Sequence, residues 1–253
     1  MKRLFVILLA ACLLLCACGV PRAENIDGAT VKNTDNGIEY RLCGNGKGVF
    51  CRRGWKTELY MKDGDGAEYY AINKLEPAEY ICDYFSDGEE ELARVYHSVS
   101  APDITMANFE PTGGQIYIEG NISQWIDEFL PEDDYLYMYF SEEYANEIIA
   151  NRAKKRAAAE AAGEVYRDGY DYVYAIRDTI LYDEVKLDRA PTPDIMDENC
   201  TFHIRLLSER FQSLYYDVVF WRSKDGVNYL LDRNTDCSYL CPYFVAEHFV
   251  GDM

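Results

Sequence analysis

Residues 57–85 and 217–244 carry one pattern twice, and that pattern limits the fold more than anything else in the chain. The first stretch reads TELYMKDGDGAEYYAINKLEPAEYICDYF and the second DVVFWRSKDGVNYLLDRNTDCSYLCPYF. With one residue dropped after the shared Asp-Gly, Asp65, Gly66, Tyr70, Tyr80, Cys82, Tyr84 and Phe85 coincide with Asp225, Gly226, Tyr229, Tyr239, Cys241, Tyr243 and Phe244. In each copy two strand-forming runs flank an Asp-Gly turn, the signature of an antiparallel hairpin. A loop then leads to Tyr-x-Cys-x-Tyr-Phe, where alternation would put Tyr, Cys and Tyr on one face of a strand. The repeat reads as an internal duplication, with coincidence in a chain of 22 tyrosines as the alternative. Tyr135–Phe140 and Tyr174–Ile176 look like fainter partial copies.

Other segments extend this hairpin-rich picture. Ile38–Leu42 alternates apolar and polar residues, a run of glycines follows at 44–48, and Val49–Cys51 resumes a strand, which together predict another hairpin. Gln115–Glu119, Tyr135–Phe140, Tyr170–Ile176 and Thr201–Leu207 read as strands, and Ser123–Leu130 as a short helix. One long helix is expected over 141–167. Ser141 caps it, Glu142 and Glu143 occupy the first turn where the helix dipole favours acids, and alanines fill 157–162. Arg152, Lys154, Lys155 and Arg156 form its one basic cluster, which reads as a solvated face or as a contact for a membrane or an acidic partner.

The N-terminus carries a different signal. Lys2 and Arg3 precede an uncharged apolar run from Leu4 to Leu15, and small Ala17 precedes Cys18, the layout of a secretory signal peptide. The run is too short to cross a membrane, which takes about 20 apolar residues. Leu15-Cys16-Ala17-Cys18-Gly19 also resembles the lipobox of bacterial lipoproteins. The resemblance implies cleavage before Cys18, a lipid on its thiol and new amine, and a place on the outer side of the cell membrane or on the outer membrane. Residues 18–36, small and polar, would be a flexible tether, followed by a β-rich lobe over 37–120 and an α+β lobe over 121–253.

Loss of residues 1–17 would leave 23 basic against 44 acidic residues, a net charge of −21. Such a surface repels nucleic acid and anionic head groups, so neither DNA nor RNA is an expected partner. Aromatic residues at 14% oppose disorder in spite of the acidity. Six cysteines remain for the folded part: Cys43, Cys51, Cys82, Cys200, Cys237 and Cys241. In an exported chain they read as up to three disulfides, and in a host living without oxygen as free thiols. If the repeat is a duplication, it pairs Cys43 with Cys82 and Cys200 with Cys241.

Catalytic patterns do not emerge. Lys47 is followed by Gly48, which breaks the phosphate-loop pattern. The Asp63 loop lacks the turn glycine and the closing glutamate of a calcium loop, and the loop at Asp232–Asp236 reads as a turn. Cys200 and His203, three apart on a strand, would face opposite ways and could not share a metal. No cofactor or metal is expected, and no nucleophile elbow is present. Paired carboxylates among 44 acids stay open, with Trp55, Trp125 and Trp221 available for stacking on sugars or for the core. The expectation is an α+β protein rich in antiparallel hairpins, with two related lobes and one long central helix. Its expected role is a membrane-anchored, non-catalytic module for a protein or glycan ligand. A secreted hydrolase acting on glycan or peptide through paired carboxylates is the alternative.

Overall fold

The computed structural model describes residues 20–250 except 53, 84, 88–89, 118–129 and 131. Residues 1–17, Cys18 and the helix expected over 123–130, apart from Leu130, fall outside them. Fourteen strands join into one hydrogen-bonded sheet. The first nine are β1 (Arg22–Asn25), β2 (Thr30–Asn33), β3 (Glu39–Leu42), β4 (Val49–Cys51), β5 (Lys56–Asp63), β6 (Glu68–Ile72), β7 (Tyr80–Cys82), β8 (Phe85–Asp87) and β9 (Glu90–Ser98). The others are β10 (Pro111–Tyr117), β11 (Met196–Ser208), β12 (Leu214–Ser223), β13 (Asn228–Asp232) and β14 (Cys237–Leu240). Five helices lie among the described residues: α1 (Met106–Phe109), α2 (Asp133–Tyr139), α3 (Glu142–Ala162), α4 (Gly169–Tyr182) and α5 (Tyr243–Val250).

Seven strands close on themselves in the order β9-β3-β2-β1-β5-β6-β7, with β7 returning to β9. Six of the seven contacts are antiparallel, and β1 runs parallel to β5 with Arg22 opposite Lys62. Closure leaves this part of the sheet without an open edge. Val31, Tyr40, Met61, Tyr69, Ile81 and Tyr96, all at most 3% exposed, fill the ring. An open arm leaves the ring through β9 and runs β4-β12-β11-β10, with β13 and β14 branching from β12. Its core face carries Ile204, Leu206, Leu214, Val218 and Phe220, against which α4 packs Val173, Ile176 and Ile180.

This architecture corrects the α+β expectation. The protein is mostly β, and it does not divide into two related lobes, because β4 and β10 hydrogen-bond directly to β12 and β11 from the second half of the sequence. The long helix is present as Glu142–Ala162 and ends on Gly163 at φ 74°, yet it is peripheral. It buries only Ala145, Ile148 and Arg152, and the alanine-rich second half lies in solvent. Helix propensity fixes a segment's conformation without fixing its place. The segment read as a tether is also structured: residues 22–33 supply β1 and β2, whose inward Ala23 and Val31 join the ring core. Tyr135–Tyr139 and Tyr170–Ile176 are helical rather than extended, and Phe140 is the extended residue that ends the first of these helices.

The hairpins at 57–72 and 217–231 form, and each continues into a third antiparallel strand, β5-β6-β7 in one case and β12-β13-β14 in the other. The matched cysteines do not take matching places. Cys82 lies within β7 opposite Tyr70, whereas Leu240 stands opposite Tyr229 and Cys241 falls beyond β14. After them one copy enters strand β8 and the other helix α5. The hairpin expected between Ile38–Leu42 and Val49–Cys51 is absent, since β3 and β4 both pair with β9, at residues 96–98 and 93–94.

Candidate functional site

A groove opens where α4 crosses the start of β10, with α2 and the turn before β12 as its other wall. Asp168 fixes the start of α4 by accepting from the backbone N–H of Tyr170 at 3.1 Å and of Asp171 at 3.4 Å, while Asp171 accepts from the Asp168 N–H. With Val173, Ile176 and Ile180 committed to the core, Tyr170, Tyr174 and Arg177 share the adjoining side of the helix, at i, i+4 and i+7. The Tyr170 and Tyr174 rings meet edge to face, and the Arg177 guanidinium carbon lies 3.9 Å from the Tyr174 ring centre. On β10 the register slips between Pro111 and Gly113, so Thr112 is the extra residue of a bulge and turns to the groove. Its hydroxyl oxygen is buried without a hydrogen-bond partner among the described residues.

Opposite stands Tyr135 on α2, which donates a hydrogen bond to Glu209 and has its phenol held protonated to higher pH by that carboxylate. Burial raises the Glu132 carboxyl above its usual range, and Asp168, Asp134 and Asp133 nearby push the same way. Arg210 closes one end, reaching Glu110 Oε1 and the Asn108 carbonyl at 3.4 Å each. The cavity measures 680 Å³, within the size range of small-ligand sites. Three tyrosines, two arginines and three glutamates thus border one space. They offer ring faces for stacking, together with acceptors and donors for hydroxyl groups.

The residues singled out in the sequence lie elsewhere. Trp55 is half-buried, with Arg52 and Lys74 over its ring at 5.4 Å, and Trp221 is buried and stacked on Tyr229. Trp125 falls outside the described residues. His203 Nδ1 sits 2.9 Å from Asp217 Oδ2, which Arg233 also approaches at 3.2 Å, while His97 faces the Ser98 and Ala101 carbonyls. Asp232 closes its turn by accepting from Asn234 N, Thr235 Oγ1 and Tyr216 OH.

Cys43, Cys51, Cys82, Cys200, Cys237 and Cys241 are all free thiols. The pairing of Cys43 with Cys82 is not seen: Cys82 hydrogen-bonds Cys51, and Cys43 lies beside Asp103. Cys51 and Cys82 face Ala93 and Val95 from opposite edges of β9, two strand spacings of about 4.8 Å apart, beyond the roughly 4.4–6.8 Å between α-carbons that a disulfide spans.

Sequence reasoning missed the groove because it read its tyrosines as strand residues. The available signal was the Asp168 cap followed by apolar residues at 173, 176 and 180, a helical spacing. The fold and groove define a mostly β protein, a closed ring carrying an open arm, with a tyrosine-lined cleft at the arm's helical edge. No family model, curated protein or solved structure matches this chain.

Proposed function

We propose that this chain is an exported lipoprotein, held at a membrane by a lipid on Cys18, whose folded part binds a glycan in the tyrosine-lined groove without cleaving it. The observation that carries the binding role is the mixed wall of Tyr135, Tyr170 and Tyr174 with Arg177, Arg210 and glutamates around one 680 Å³ space. Sugar rings offer apolar C–H faces to tyrosine and hydroxyls to carboxylates and guanidinium groups, and this groove supplies both kinds of partner. The export role rests on the sequence from Lys2 to Gly19.

The hydrolase reading draws on one observation, the raised carboxyl of Glu132, since a carboxylic acid kept protonated is what protonates a leaving oxygen. Glu209, the second carboxylate of that wall, is engaged by Tyr135. The full chain in detergent micelles should retain oligosaccharides from a cell-wall glycan panel. Tyr174→Ala should weaken retention about tenfold, the loss of one stacked aromatic. Release of reducing ends that stops in Glu132→Gln would replace the binding role with hydrolysis. Retention unchanged in Tyr174→Ala would remove the groove from the account. Mass spectrometry of the N-terminal peptide should find acyl chains on Cys18, and an unacylated Cys18 in membranes would overturn the anchor.

A further inference from the structure

A second cavity, of 570 Å³, lies at the ring's mouth, at the end that carries the β1–β2 and β5–β6 turns. Below it Tyr69 and Tyr96, packed edge to face at 5.8 Å, plug the ring. Just past β7, Asp83 is 6% exposed and receives four hydrogen bonds. Arg94 gives three of them, from N at 2.9 Å, Nε at 2.9 Å and Nη2 at 2.6 Å, and Tyr96 OH gives the fourth at 3.1 Å. That carboxylate is occupied. Its effect is to fix the plane of the Arg94 guanidinium, a third of whose side chain is exposed and borders the cavity. Across the mouth Lys56 places its ammonium 5.0 Å from the Tyr70 ring centre, and Tyr70 OH donates to Glu68.

We propose that the ring mouth binds a free amino acid or the equivalent end of a short peptide. The carboxylate lies between Arg94 and Lys56, and the ammonium faces Glu68. Two cations and one half-exposed acid border the space, with Asp83 held behind Arg94; Glu68 Oε1 pairs with Lys62 Nζ at 3.1 Å, and a ligand ammonium would share that carboxylate with Lys62. The charge of the whole molecule selects among ligands that contain a carboxylate. At a net −19 the protein repels simple anions at long range, whereas a zwitterion carries no net charge and meets no such barrier. A planar guanidinium of fixed orientation recognises the two oxygens of a carboxylate together. This site shares no residue with the groove, so it stands or falls separately from glycan binding.

Titration of the full chain in detergent micelles with glycine, acetate and inorganic phosphate, followed by calorimetry, tests the assignment. Glycine should bind saturably and at least tenfold more tightly than acetate or phosphate, with Lys56→Gln weakening it about tenfold and Tyr174→Ala leaving it unchanged. Arg94→Lys should do the same while keeping the charge. Because that change could unseat Asp83, which Arg94 and Tyr96 hold, Lys56→Gln is the deciding variant. Phosphate binding more tightly than glycine, no glycine binding, or a glycine isotherm unaltered in Lys56→Gln would each overturn the proposal.

Discussion

Gly48 lacks a side chain because the space is taken: a β-carbon there would lie 2.4 Å from the backbone nitrogen of Asn234. Gly44, at φ 50°, meets the same asparagine side chain, and the Asn45 N–H donates to its carbonyl at 3.3 Å. The glycine run is therefore a socket for the β13–β14 turn. The sequence shows flexible residues in a row, which licenses a turn, but the asparagine they enclose belongs to a distant segment that no local pattern can point to. Asp232, two residues before that asparagine, is 2% exposed, and burial raises its pKa above the ordinary 3.8. An acid that binds its proton more tightly when folded contributes stability that is present below pH 3.8 and lost as the pH rises through its folded pKa. The stability of the native chain relative to Asp232→Asn should therefore fall as the pH rises above 3.8 and level off once the folded carboxyl has ionised. Chemical unfolding at a series of pH values measures this, and a difference constant with pH would refute it.

Among the elements, α3 shows how a readable segment can hide its role. Its cap at Ser141 and its Gly163 stop are visible in the sequence, and both are used. The basic cluster on it is not one face. Arg152 is 4% exposed, with Nη1 donating to Asp133 at 2.8 Å and Nη2 to the Leu130 carbonyl at 3.0 Å, while Arg156 stays outside near Asp168. Arg152 ties α3 to α2 over the small cluster of Leu130, Leu136, Ala145 and Ile148. Arg152→Ala should cost about 2 kcal/mol, the scale of hydrogen bonds made by a buried charge. Hydrogen exchange should quicken over 133–152 and stay unchanged in the ring, and uniform acceleration would show that the two regions unfold as one. Both misread strands, at 135–140 and 170–176, are tyrosine-rich, and tyrosine favours sheets only when a sheet neighbour is present to pack against it.

For the molecule as a whole, β9 belongs both to the closed ring and to the open arm. Hairpins were legible because turn and strands are contiguous. Closure was not, since it depends on β7 meeting β9 and on β1 lying parallel to β5, pairings set by packing inside the ring. Ala23 on β1 is the test of that closure, being 8% exposed and part of the ring core. Ala23→Asp buries a charge without a partner and should cost about 3 kcal/mol or more, with proteolysis starting at β5 and β1. Cleavage starting in the arm would argue that the ring survives without its first strand. The early start of β1 also sets how the molecule would stand. Only Gly19, Val20 and Pro21 separate Cys18 from Arg22, a reach of at most about 14 Å. β1 leaves from the end where Thr34 N bonds the Arg22 carbonyl and runs toward Gly28 at the mouth. A lipid on Cys18 would then seat the barrel upright on the bilayer like a cup on a table, its rim turned away from the lipid and its ligands delivered from outside.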